Sequence, residues 1–182
     1  VAIEIKANSI DPMQADLCGI ALALAPNDAC YVPLAHKQSG GGAGLFDAGL
    51  APDQVKHEEA VQALRPVLES AGILKIGFDV KFAAVMLAQH GIILRNTDDA
   101  KLISYVLDAG RGSQELDSLS ERWFGHAMLK ENELLGSGKG KITFDQVPID
   151  KAAALSAEGA DVTLRLWQVL KPRLVAEHMT TV

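Results

Sequence analysis

Three apolar runs separated by turn-forming residues fill the first 34 positions, and they constrain the chain to open as a β-meander. Val1, Ile3 and Ile5 alternate with Ala2, Glu4 and Lys6, the period-two signature of a strand. Asn8 to Gln14 is rich in Ser, Asp and Pro and reads as a turn. Leu17 to Leu24 is apolar on both faces and reads as a second, fully buried strand. Pro26-Asn27-Asp28 is a turn signal, and Ala29 to Leu34 is a third strand. Three strands in this relation pair antiparallel.

The first strand carries one oddity. Side chains two apart share a face, so Glu4 and Lys6 stand side by side on a strand that is otherwise apolar enough to be central in its sheet. Burying charge is costly unless it is paired. Two readings stay open: an ion pair where the strand meets solvent, or a metal or catalytic site.

Beyond residue 53 the pattern changes to strands alternating with helices. Val61, Leu64, Val67 and Leu68 recur at helical spacing between Glu58 and Ser70, and Ile73 to Gly77 reads as a short strand. Asp79 is a helix N-cap for the segment through Phe82 and Leu87, closed by Gly91. Ile92-Ile93-Leu94 is expected to be a fifth strand, and Asp98 or Asp99 to open the next helix. Asp117 is expected to cap a helix through Trp123, and Asp150 a long one ending near Lys171-Pro172. A meander followed by this alternation specifies a mixed α/β sheet.

Two glycine-rich stretches are loops on this reading. Ser39 to Gly44 has no strand-to-helix junction that would make it a phosphate cradle. Gly136 to Lys141 is basic, but the glycine required five positions before each Gly-Lys is Glu133 or Leu135, so it is no Walker loop. It is a solvated loop or a contact for a nucleic-acid backbone.

At 182 residues the chain fits one domain, residues 1 to 182. Apolar runs fall far short of the ~18 residues that cross a bilayer, and no secretory leader pattern begins the chain. Starting without Met and directly in a strand, it is expected to be excised from something longer. Cys18 and Cys30 are too few for a disulfide framework and are expected to be buried free thiols of a reducing cytoplasm. A net charge of −6 gives no global attraction for nucleic acid. The five histidines show no ligand spacing, and Rossmann glycines are missing.

Several phrases then carry a resemblance. Leu116-Asp117-Ser118-Leu119-Ser120-Glu121-Arg122-Trp123, the run Gly138 to Phe144, Ala157 to Leu164 and Tyr31 to His36 resemble the 3′–5′ proofreading exonuclease domain of family A DNA polymerases. The resemblance spans essentially all the chain, and residues 176 to 182 resemble the lead-in to the polymerase domain. It implies a ribonuclease-H-like (DnaQ-type) α/β fold: a mixed five-stranded sheet, its first three strands antiparallel, flanked by helices. It also implies two-metal phosphodiester hydrolysis in active members, a partner in the polymerase domain of the same chain, and a single-stranded DNA or primer 3′ end as ligand.

The chemical positions depart from that pattern. The family's Asp-x-Glu pair corresponds to Glu4-Ile5-Lys6, its next aspartate to Ala83, its water-orienting tyrosine to Leu155 and its last aspartate to Gly159. A substrate-stacking aromatic corresponds to Glu131. Only Glu4 keeps a carboxylate, so no intact catalytic set and no metal cofactor are expected, although Mg2+ or Mn2+ serves active relatives. A Glu4–Lys6 ion pair is expected in place of the metal site. Asp79 and Asp161 are the acids near lost ligands; the first suits a helix cap, and the second lies about 200° around the helix from Gly159. Ser9, Ile10, Lys139 and Lys141 match substrate-side positions and are the expected nucleic-acid contacts. An active nuclease with rearranged ligands and a binding module unrelated to replication are the alternatives.

Overall fold

The computed structural model describes residues 1–38 and 49–180; the glycine-rich stretch at 39 to 44 lies outside them. Five strands form one sheet in the order β3-β2-β1-β4-β5. β1 (Ala2–Ala7), β2 (Leu17–Ala25) and β3 (Asp28–Pro33) pair antiparallel, while β4 (Lys75–Gly77) and β5 (Thr97–Asp99) run parallel to β1. β1 is thus central, as its apolar pattern requires.

The period of two decides which residues meet which helices. Ile3 and Ile5 face one side of the sheet, in a core with Ile20 of β2 and with Leu68, Met86 and Leu87 from α1 (His57–Leu68) and α2 (Val80–Gln89). Ala2, Ala21 and Ala23 face the other side and meet Ala160 and Leu164 of α6 (Ile149–Ala176). Small side chains there let a 28-residue helix lie close across β1, β2, β3 and β4. α3 (Ala100–Asp108) and α4 (Leu116–Phe124) buttress α6 through Ile103, Leu119 and Leu166. α5 (Glu131–Leu135) is a short helix beside the open end of β1.

Several boundaries differ from expectation. The fifth strand is Thr97–Asp99, whereas Ile92-Ile93-Leu94 is not a strand. Gly91, at φ +70°, ends α2 and turns Ile92 into the core, leaving Ile93 61% exposed. α4 starts after Glu115, so Asp117 lies in its first turn, and α6 starts after Pro148 with Asp150 likewise inside. α6 also runs past Pro172 to Ala176, because Leu174 joins the α3–α4 core and Arg173 pairs with Asp108. Cys18 is buried, but Cys30 is exposed: it stands on β3, at the sheet's edge. Among the described residues no helix is long and apolar enough to cross a membrane.

Candidate functional site

The site forms where β1 runs out under α6. Glu4 and Lys6 point to the α6 side, opposite Ala21 and Gly19 of β2. Lys6 Nζ lies 2.8 Å from Glu4 Oε1, so the side-by-side charges of the strand are an ion pair. The same ammonium donates to Glu131 Oε2 at 2.9 Å and sits 5.3 Å from the centre of the Phe144 ring. Burial alone would lower the Lys6 pKa, but Glu4 and then Glu131 outweigh it and hold it above its ordinary value. Burial raises the Glu4 carboxyl against the pull of Lys6.

Glu4 fits against α6 at one residue. Its Oε2 is buried without a hydrogen-bond partner, and a Cβ on Gly159 would fall 2.0 Å from it and 2.8 Å from Cδ. Only glycine leaves room there. Leu155, one turn earlier, is buried in a second group with Cys18, Phe144 and Val147. Behind it His36 is fully buried, its Nδ1 3.0 Å from the Val147 carbonyl and its Nε2 2.8 Å from the Tyr31 hydroxyl. Nδ1–H donates to the carbonyl, so Nε2 accepts from Tyr31. Gly19 makes room for that hydroxyl, since a Cβ there would lie 2.2 Å from it.

Of the site residues expected from sequence, all but Lys139 line neighbouring clefts. Glu4, Lys6, Leu155 and Gly159 line one cleft of about 370 Å³, and Glu4 and Ala83 border a smaller one of about 190 Å³. Ser9, Ile10 and Lys141 line a neighbouring groove of about 610 Å³ with Lys6 and Phe144. Ile10 is 96% exposed at its rim. Lys139 is exposed on the short 3-10 turn Gly138–Gly140, outside the lining of that groove.

The two spare acids separate. Asp79 does cap α2, in the left-handed region at φ 66°, with its carboxylate accepting from the Phe82 amide at 3.4 Å, and it faces the groove. Asp161 points away: it accepts from the Asn27 amide at 2.7 Å and pairs with Arg165 at 2.7 Å, beside a different cleft. Two partnerships were not readable in sequence. Glu131 joins Lys6 across 125 positions, and Glu158 binds both His126 Nε2 and the Leu129 amide, each at 2.8 Å. For Glu131 the signal was that the resemblance assigns an aromatic to its position; for Glu158 there was none.

Residues 1–175 match the family model described as 3′–5′ exonuclease. The chain belongs to this family. It is 44% identical to DNA polymerase I of Rhizobium leguminosarum, over its whole length and 19% of that protein. It is 36% identical to DNA polymerase I of Pseudomonas aeruginosa, over 97% of this chain and 18% of that one. The chain therefore spans about a fifth of these relatives. Its fold is that of Brucella melitensis NrnC bound to pGG, with a TM-score of 0.70 at 18% identity, covering 99% of this chain and 75% of the other. The architecture is the mixed sheet of the ribonuclease-H-like exonucleases.

Proposed function

We propose that this 3′–5′ exonuclease domain has lost metal-dependent nuclease activity and serves a DNA polymerase I as a structural module with weak affinity for single-stranded DNA. Its partner is the polymerase domain of the same chain, its setting replication and repair in the cytoplasm. The observation that carries the reading is the Lys6 ammonium, held by Glu4 and Glu131 at 2.8 and 2.9 Å in the middle of the site.

The donor set does not fit a pair of divalent ions. Two-metal hydrolysis needs dications about 3.5–4 Å apart, and hard cations of this kind take oxygen ligands. Ala83, Leu155 and Gly159 offer no side-chain oxygen, and the one carboxylate, Glu4, is committed to Lys6. Among the described residues no three His, Cys, Asp or Glu side chains are grouped to hold a metal ion. A fixed ammonium also repels a dication in the space where a ligand would have attracted it.

What the domain retains is a scaffold. The sheet, α6 and the groove along Ser9, Ile10 and Lys141 persist, and function resides in sites rather than folds. Digestion of a 3′-labelled single strand with magnesium or manganese tests the proposal, beside a Glu4→Ala control. Equal background from both proteins is expected. Metal-dependent cleavage that disappears in the control would overturn it.

A further inference from the structure

Two clefts meet at the end of β1. The first holds Glu4, Leu155 and Gly159; the second holds Ser9, Ile10, Asp79 and Lys141. Lys6 and Glu131 line both, and their 2.9 Å ion pair stands where the two adjoin.

The two halves of that pair are not equally fixed. Lys6 is rooted in the sheet, its side chain 12% exposed and gripped from below by Glu4. Glu131 rides on the five-residue α5, none of whose residues is buried, and its side chain is 46% exposed. Rotation about the Glu131 side-chain torsions separates the pair with no movement of the backbone. Ion pairs open to water on one side contribute little net stability, so the separation is inexpensive.

A single strand running from the Ser9–Ile10 rim toward Leu155 and Gly159 must pass this point. Its phosphodiesters would meet the carboxylates of Glu4, Asp79, Glu115, Asp117 and Glu131 against the ammoniums of Lys6, Lys130 and Lys141. Glu4 is half-buried and pinned between Lys6 and Gly159 of α6, Asp79 is engaged as a helix cap, and Glu115 pairs with Lys101. Among these carboxylates only Glu131 lines both clefts, and its exposed side chain is free to leave the path.

We infer that the Lys6–Glu131 ion pair is a latch across the strand groove. At rest Glu131 excludes single-stranded DNA; a bound strand exchanges a phosphate oxygen for the Glu131 carboxylate on Lys6, and Glu131 swings into water. The inference rests on the reading of this domain as a DNA-contacting module. It adds the ligand's route and the residue that regulates it. No covalent bond is made or broken, and Lys6 keeps an anion at hydrogen-bond distance in both states.

Fluorescence anisotropy with 3′-labelled single-stranded decathymidylate tests it at low salt. Glu131→Ala is expected to bind about fivefold to tenfold tighter than the unaltered protein, through loss of one carboxylate beside the phosphates. Glu133→Ala removes the same charge from the same helix but lines neither cleft, and should change affinity less than about twofold. The double variant Lys6→Ala/Glu131→Ala should lose the gain. An affinity of Glu131→Ala equal to that of the unaltered protein would overturn the latch. A double variant binding as tightly as Glu131→Ala would overturn the exchange on Lys6. Metal-dependent shortening of the oligonucleotide in parallel samples would refute the loss of nuclease activity, and leaves the affinity comparison intact.

Discussion

Gly159→Ala gives the sharpest test of how the site is packed. Two effects oppose each other. Alanine within a helix is favoured over glycine by ~1 kcal/mol. Against that, the new methyl would stand 2.0 Å from Glu4 Oε2 and 2.8 Å from Cδ, closer than atoms tolerate. The end of a glutamate side chain often yields cheaply, but this one is held by Lys6 at 2.8 Å with its other oxygen already buried. Overpacking of this kind costs about 1–3 kcal/mol, so the net effect is a destabilisation of about 0–2 kcal/mol. In a Glu4→Ala background the obstruction is gone and the same substitution should stabilise by ~1 kcal/mol. Urea unfolding of the four proteins yields the coupling directly, with an expected value of about 1–3 kcal/mol. Equal effects of Gly159→Ala in both backgrounds, within about 0.5 kcal/mol, would refute the interlock of Glu4 with α6. The interlock also means that an aspartate at position 159 is obstructed until Glu4 is shortened.

Three further outcomes follow from the electrostatics. Asp108 is buried and held below its ordinary pKa of 3.8 by hydrogen bonds from Arg173, against the effect of burial. Its folded value is depressed, so the stability it contributes is present above pH ~4 and lost as pH falls through the folded value. Arg173→Ala should cost about 2–4 kcal/mol near neutrality and flatten acid unfolding measured by circular dichroism. His57 and His90 share a 2.9 Å contact between Nε2 and Nδ1, and burial followed by the neighbouring His57 lowers the His90 pKa. The unfolded chain takes up that proton first, so melting temperature should fall as pH drops below ~6.5, and His90→Gln should lessen the slope. Burial pushes the Cys18 thiol up to about 12 while Cys30 is exposed, so a thiol reagent should label one cysteine in the native protein and both in denaturant.

Much of the fold was legible because it depends on neighbours in sequence. The alternation of Val1, Ile3 and Ile5 marks a central strand, and β1 lies between β2 and β4. The left-handed Gly91 closes α2 as its position suggested. The fifth strand was misplaced because Ile92-Ile93-Leu94 has the apolar look of a strand, while Thr97-Asp98-Asp99 has none. Asp98 binds Trp167 and Lys171 on α6, and Asp99 caps α3, so those polar residues are satisfied by partners remote in sequence. The exposed Cys30 was misjudged for a related reason: strand propensity does not say which strand is an edge.

The amino-acid sequence by itself determined the meander, the starts of α2 and α3 at Asp79 and Asp99, and the adjacency of Glu4 and Lys6 on one face of β1. Those properties are local, set by side-chain period, backbone preference and residue type. The tertiary structure alone decided what surrounds that pair. Lys6 reaches its strand neighbour Glu4, which sequence spacing allows, and also Glu131, which lies 125 positions away. Gly159 accommodates the Glu4 carboxylate across 155 positions because α6 is drawn tight against a sheet surface of alanines. Contacts of that range depend on how rigid elements close on one another, and no local pattern encodes the distance at which they stop.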